Sequence, residues 1–427
     1  MLRLSASSFA FTPTQSMPLA GYTRRSGIYD RIDGNLEAVF LRLCDDSGND
    51  VLIGSVDTLF LTDRSISDIR DALGDFDTPL LLFATHTHNA PSLAPDLPLL
   101  GRHDPKWYQG FVSACADALK ELSDRQEPGD PVTLRYGKQR TGLNINRRLP
   151  SRVLDYPALL REHRLVYGRR IALAENKRGF IDPWLRAIFL EDQQGRVRGV
   201  IWTLAAHPAR YPGFTRVSPD FPGLVRDAVR GHFGANCAVI YLPGLAGSAL
   251  PRMPRHLPAD WKQACLWLLP FYPQALPVRT GTYQAWVDRV LDALLQAYRE
   301  RQLPVDDTGI SVTRTCAPDI FQARCNGSDL GLQITRVSLA ENLGILAFNG
   351  EMLGEWTPLL ESVATGVNLF SGYLAGPALY VPTSLQLPEG GYEVTGFQAA
   401  FGLDGEFHPD ISGRVISAAG SLYGVRP

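Results

Sequence analysis

The sequence predicts an α/β protein in which mixed β-sheets are flanked by helices. Three observations carry this. Short apolar runs bounded by turn residues, such as 80–82, 238–242 and 343–348, read as buried strands. Amphipathic stretches of helical period, 105–125 and 280–301, alternate with them. No internal repeat or low-complexity linker interrupts the 427 residues, so a single domain over 1–427 is expected, although length alone would allow two or three.

The elements follow in order. A turn-rich lead-in carries Thr12-Pro13 and Met17-Pro18-Leu19-Ala20-Gly21-Tyr22. Strands are expected at 37–43 and 51–61, joined through Asp45-Asp46-Ser47-Gly48. Asp57 lies inside the second apolar run, where a carboxylate needs a partner; it is either a capping or turn residue or a group behind a metal ligand. Residues 63–73 read as a helix opened by Asp63 as N-cap.

The run 80–82 then leads into Phe83-Ala84-Thr85-His86-Thr87-His88-Asn89-Ala90-Pro91, the stretch around which the site is built. Alternate strand residues share a face, so His86 and His88 are expected to project together from the strand's end. Asp104 caps the helix 105–125, and a strand at 132–141 delivers the chain into Gly142 to Pro150. Residues 151–180 are basic and poorly periodic.

A hairpin at 184–191 and 197–206 ends in Ala205-Ala206-His207-Pro208, the same arrangement of apolar strand, terminal histidine and proline as at His86. Asp220 caps a helix to 233 with Pro222 in its first turn, and the strand 238–242 runs into a small-residue loop, 243–249. Residues 251–280, with Trp261, Trp267 and Phe271, are either a helix on the core or an apolar pocket wall. Strands follow at 310–315, 331–338 and 343–348, the last ending in Asn349-Gly350-Glu351. Tyr380 lies in a strand-like segment, 378–383, and a helix at 411–423 closes the chain.

Charge and cysteines exclude several classes. A net charge of −2 without a basic stripe gives no support for nucleic-acid binding. The six cysteines lack paired spacing, so neither a disulfide framework nor a cysteine-type zinc site is expected. No apolar run reaches transmembrane length and the N-terminus lacks a secretory apolar region, so a cytoplasmic protein is expected.

Read jointly, His86 and His207 end two strands, Glu351 ends a third and Tyr380 sits in a fourth. Mononuclear catalytic zinc commonly takes two histidines and a carboxylate and keeps a position for water. Each residue alone has a plainer reading. An isolated His-x-His more often caps a strand, a lone Arg147 more often pairs with a surface acid, and a lone Tyr392 more often sits at a core edge. Only the ordered set favours a site.

That ordered set resembles the catalytic domain of the neutral (non-lysosomal) ceramidase family. The matching stretches are Met17-Pro-Leu-Ala-Gly-Tyr22, Ala84-Thr-His-Thr-His-Asn-Ala-Pro91, Asn144-Ile-Asn-Arg147, Ala206-His-Pro208, Gly350-Glu351, and Tyr380-Val-Pro-Thr383 with Tyr392 twelve positions on. The resemblance runs from about residue 10 to the end. It implies one zinc ion per chain held by His86, His207, Glu351 and Tyr380, with His88, Arg147 and Tyr392 lining the site around the reacting amide. It implies a zinc-dependent hydrolase that cleaves a linear N-acyl amide with metal-activated water. His88, Arg147 and Tyr392 would share oxyanion stabilisation and proton donation to the leaving amine.

Two departures bear on the substrate. Where the family has a Gly-Asp-x-Ser-Pro-Asn-like segment, this chain reads Gly247-Ser248-Ala249-Leu250-Pro251-Arg252; Leu250 replaces the serine, which excludes a serine acyl-enzyme there. No signal peptide or C-terminal immunoglobulin-like domain is expected, so the small-molecule substrate is either lipid-like, as ceramide is, or a soluble N-acyl metabolite. Other readings are a family member acting on an ester or lactone, or forming an amide in a specialised pathway, and a catalytically silent binding module.

Overall fold

A computed structural model describes residues 1–123, 129–154, 167–254, 261, 278–302, 308–324 and 329–425. Two large sheets carry the fold. The first has eight strands, in the order Ala238–Tyr241, Val197–Thr203, Trp184–Asp192, Asp130–Arg140, Leu2–Ala10, Glu37–Asp45, Asp50–Val56 and Leu80–Ala84. Its inner neighbours are antiparallel, and the pair at each edge is parallel. The second has five, in the order Val367–Ser371, Leu343–Phe348, Leu330–Ala340, Thr308–Ala323 and Gly405–Phe407, again with a parallel pair at the Val367–Ser371 edge.

One face of the first sheet packs on the second in a shared core that includes Leu41, Ile53, Leu81, Ile201, Val337, Ile345 and Leu369. Its other face is covered by helices. Asp63–Leu73 and Pro105–Ser123 bury Ile69, Phe111, Cys115 and Leu119 over one half, and Asp220–Phe233 and Thr280–Arg299 bury Phe221, Val225, Trp286 and Val290 over the other. This is the predicted mixed α/β architecture.

Curling of the first sheet places the site. Its strands Val197–Thr203 and Leu80–Ala84 are six positions apart, which in a flat sheet is roughly 29 Å at ~4.8 Å per strand. Ser55 Oγ, next to one edge, instead donates to the carbonyl of Tyr241, at the other, at 2.8 Å. Twist has folded the sheet back on itself. The carboxyl ends of Leu80–Ala84, Val197–Thr203 and, from the second sheet, Leu343–Phe348 thereby open on one space.

Several local expectations need correction. The strand before the histidines ends at Ala84, and His86 takes a left-handed φ of 64°, so alternation along a strand does not align His86 with His88. The N-cap of the first helix is Thr62, whose N–H donates to Ser65 Oγ at 3.1 Å, and not Asp63. Asp57 neither caps nor backs a histidine: it accepts from Arg226 Nη1 at 2.8 Å and from the Glu37 N–H at 3.0 Å, pinning the Asp220–Phe233 helix to the sheet. Asn144–Leu154 and Tyr167–Asn176 form a hairpin within the segment expected to lack period. Asp104 does cap the second helix, accepting the Trp107 N–H at 2.8 Å. The choice posed for 251–280 falls mostly outside the described residues.

The described cysteines Cys44, Cys115, Cys237 and Cys316 are free thiols. No helix among the described residues is long and apolar enough to cross a membrane.

Candidate metal centre

Five chain segments build the site. The turn after Leu80–Ala84 supplies His86 and His88, the turn after Val197–Thr203 supplies His207, and the hairpin strand Asn144–Leu154 supplies Arg147. A short parallel pair, Glu351–Met352 with Tyr380–Val381, sets Glu351 directly opposite Tyr380. Backbone bonds lock these pieces: the His88 N–H donates to the Pro208 carbonyl (3.2 Å), His207 to Ala249 (3.0 Å), Arg147 to Ser248 (2.7 Å) and Glu351 to Leu379 (2.8 Å).

The three imidazoles converge. His207 Nε2 lies 3.1 Å from the Nε2 of His86 and 3.1 Å from that of His88. Glu351 Oε2 is 3.5 Å from His86 Nε2. Two imidazoles bound to one zinc at about 2.0–2.1 Å and a tetrahedral angle stand roughly 3.3 Å apart, so the spacing suits a shared ion. His86 Nδ1 meets the Leu59 carbonyl at 2.8 Å, which fixes the proton on Nδ1 and leaves the Nε2 lone pair facing inward.

Electrostatics point the same way. Burial is the largest influence on each histidine, pushing His86 down to about 3 and His88 and His207 well below the ordinary value, so all three are neutral and able to ligate. Burial also raises Glu351 to about 8, against the pull of Arg147 and the Tyr380 and Tyr373 hydroxyls. Its Oε1 is buried with no hydrogen-bond partner. An enclosed carboxylate with a vacant oxygen beside three neutral imidazoles is a donor set that suits a divalent cation.

Arg147 is the neighbouring positive charge. Its Nη2 donates to the Tyr380 hydroxyl at 3.0 Å and its Nε to Glu393 Oε1 at 2.8 Å. Burial alone would weaken its basicity, but Tyr380, Glu393 and Glu351 outweigh that and raise it well above the ordinary arginine value. Glu393 is completely buried, and its Oε2 takes Arg148 Nη1 at 2.7 Å. Arg148 in turn holds Glu389 (3.0 Å) and the Gly390 carbonyl (2.9 Å), fastening the segment that carries Tyr392. The Tyr392 ring stands 5.6 Å from that of Tyr380, half-buried, with burial raising its hydroxyl to about 12.

Of the seven residues singled out from the sequence, His86, His88, His207 and Glu351 lie together, Tyr380 pairs with Glu351 across the short strands and holds Arg147, and Tyr392 joins them through its ring contact with Tyr380. The side chains meeting in space with metal-ligating atoms within 4.8 Å of one another are His86, His88 and His207, so this cluster could hold a metal ion. Sequence reasoning missed three neighbours. Tyr373, at a left-handed φ of 59°, sets its hydroxyl 3.2 Å from Glu351 Oε2 and 3.4 Å from His207 Nδ1. Glu393 and Arg148 were visible only as charges beside motif residues. Gly21 also matters: at φ 108°, a Cβ there would come within 2.5 Å of His88 Nδ1.

No family model matches the chain, and no curated protein sequence matches it. Solved structures do. The neutral ceramidase from Pseudomonas aeruginosa superposes over 100% of this chain and 75% of its own, with a TM-score of 0.72 and 15% identity. A ceramidase complexed with C2 covers 100% of this chain and 76% of its own, with a TM-score of 0.70 and 14% identity. The chain has the neutral ceramidase fold.

Proposed function

We propose that this chain is a zinc-dependent hydrolase of linear N-acyl amides, acting as one domain over its length. The observation that supports this best is the meeting of His86, His88 and His207 Nε2 with the Glu351 carboxylate beside the Arg147 guanidinium. His86, His207 and Glu351 would hold the ion, with the Tyr380 hydroxyl as the fourth protein ligand. Bound there, zinc supplies a water acidic enough to attack at neutral pH and a Lewis acid for the amide carbonyl.

The chain's own groups do the rest. Arg147, kept charged and aimed by Glu393, faces the carbonyl oxygen as it gains negative charge, and the Tyr392 hydroxyl donates to the same oxygen. His88 carries the proton from the attacking water to the leaving nitrogen. Leu250, in the strand opposite Ile145, offers no hydroxyl, so no acyl-enzyme forms there.

The 3.1 Å spacing of His88 Nε2 from His207 Nε2 favours one variant of this reading, in which His88 ligates and the Tyr380 hydroxyl keeps its hydrogen bond from Arg147. The test is mass analysis of products after zinc-supplemented protein meets N-acyl amines of several chain lengths. Release of fatty acid and amine, abolished by chelation and by His86→Ala, is expected. Turnover of esters or lactones alone, amide formation alone, or full activity in His86→Ala rejects it.

A further inference from the structure

Arg25, which is only partly buried, differs in its partners from the buried arginines. Arg147 and Arg148 pair with Glu393, Arg186 with Asp182, Arg210 with Glu175, and Arg226 with Asp57 and Glu37. Arg25 pairs with no carboxylate among the described residues. Its Nη1 donates to the carbonyls of Ala20 and His88, both at 2.8 Å. Its Nε and Nη2 are shut from solvent and have no acceptor, and among the described residues it is the one side chain with two such atoms.

Those two nitrogens form one edge of the guanidinium. Nε–H and the adjacent Nη2–H run parallel and together make the fork that grips a carboxylate or phosphate through two hydrogen bonds. Two aromatic rings hold it from one side: Cζ lies 4.7 Å from the Tyr22 ring centre and 4.7 Å from that of Phe214, and those rings contact each other at 5.1 Å. Tyr22 is itself fixed, its hydroxyl donating to the Ala209 carbonyl at 2.9 Å and its ring lying 4.9 Å from the His88 imidazole. Phe214 is half exposed, so the outer of these two rings borders solvent. A charge held in place, uncompensated and enclosed is costly unless an anion meets it.

We propose that the Nε–Nη2 edge of Arg25 seats an oxyanion carried by the substrate, so the preferred N-acyl amide bears a carboxylate or phosphate close to the bond that is cut. This rests on the amide-hydrolase reading and narrows its substrate class away from neutral amides. The same guanidinium holds the His88 carbonyl through Nη1, which puts Arg25 on the histidine side of the metal centre.

The test is calorimetric binding to zinc-supplemented protein, which needs no turnover. The ligands are N-octanoylglycine, N-octanoyl-O-phosphoethanolamine and neutral N-octanoylethanolamine. At least one anionic ligand is expected to bind tenfold or more tightly than the neutral one, and which it is identifies the carboxylate or the phosphate as the source. In Arg25→Gln the anionic-to-neutral ratio falls to within twofold of one; Arg25→Lys, which keeps the charge without the fork, also loses most of the preference. No anionic preference in the wild type, or a preference that survives in Arg25→Gln, overturns the proposal. Anion binding through Arg25 without cleavage of any ligand would instead remove the hydrolase reading and leave this site standing.

Discussion

Glu393 accepts the Arg147 Nε–H at 2.8 Å from a position with no solvent exposure, and its second oxygen neutralises Arg148. One buried carboxylate therefore bridges two buried guanidinium groups. Removing one partner of such a group strands charge and typically costs about 3–5 kcal/mol. Glu393→Ala is expected to lower stability by about that much in urea unfolding. Glu393→Gln should keep more of the stability and still lower kcat by roughly tenfold or more, since Arg147 loses its counter-charge. A loss below about 1 kcal/mol in Glu393→Ala would show that the clamp is not structural.

Zinc binding separates the two ligand assignments. If Tyr380 is the fourth ligand, Tyr380→Phe binds zinc more weakly, while His88→Ala keeps near-stoichiometric metal and loses turnover. If His88 ligates, the pattern reverses. Metal content after dialysis against a weak chelator reads this directly, and wild-type protein with far less than one zinc per chain rules out both.

Asp220 gives a pH dependence of known sign. Burial raises its carboxyl from 3.8 to about 6, against the hydrogen bonds from Tyr283 and the Phe221 N–H. The folded state thus binds this proton more tightly than the unfolded chain does. Below about pH 4 the group is protonated in both states and carries no penalty, and the penalty grows from about pH 4 to 6. At pH 8 it is complete, about 3 kcal/mol for a shift of that size. Asn tolerates the left-handed φ of 56° found there and accepts the same two hydrogen bonds. Asp220→Asn is therefore expected to be more stable than wild type at pH 8 by about 1–3 kcal/mol and no more stable at pH 4. A less stable variant at pH 8 contradicts this.

Gly21→Ala tests the packing behind His88. The added methyl meets the imidazole at 2.5 Å and the backbone sits at φ 108°, so both contact and conformation oppose it. Weakened zinc binding and at least a tenfold fall in activity are expected. Unchanged kinetics would mean that His88 can shift at no cost to function.

The sequence disclosed the site better than it disclosed the route by which the site forms. His86, His207 and Glu351 stood out as candidates because each follows an apolar run at a turn, a local pattern, whereas Tyr380, inside a strand-like segment, stood out only through the ordered set of motifs. Most strands were legible for the same reason, through apolar runs such as 80–82 and 343–348. The left-handed backbone at His86 and the curl that joins Ser55 to Tyr241 were not, since both are imposed by contacts between distant segments. Asp57 reads identically in sequence whether it backs a metal ligand or holds Arg226, and only the fold chooses. Tyr373 and Arg25 lie in no pattern of spacing, because their roles depend on which neighbours three-dimensional packing leaves without partners.

The order in which the ribosome delivers these segments sets when the centre can exist. His86 and His88 emerge first, His207 follows more than a hundred residues later, and Glu351, Tyr380 and Glu393 come after all three. A nascent chain therefore holds all three histidines over the 144 residues from His207 to Glu351 without the carboxylate and the clamp that complete the pocket. Metal capture in the finished geometry must await the segment that carries Glu351, Tyr380 and Glu393.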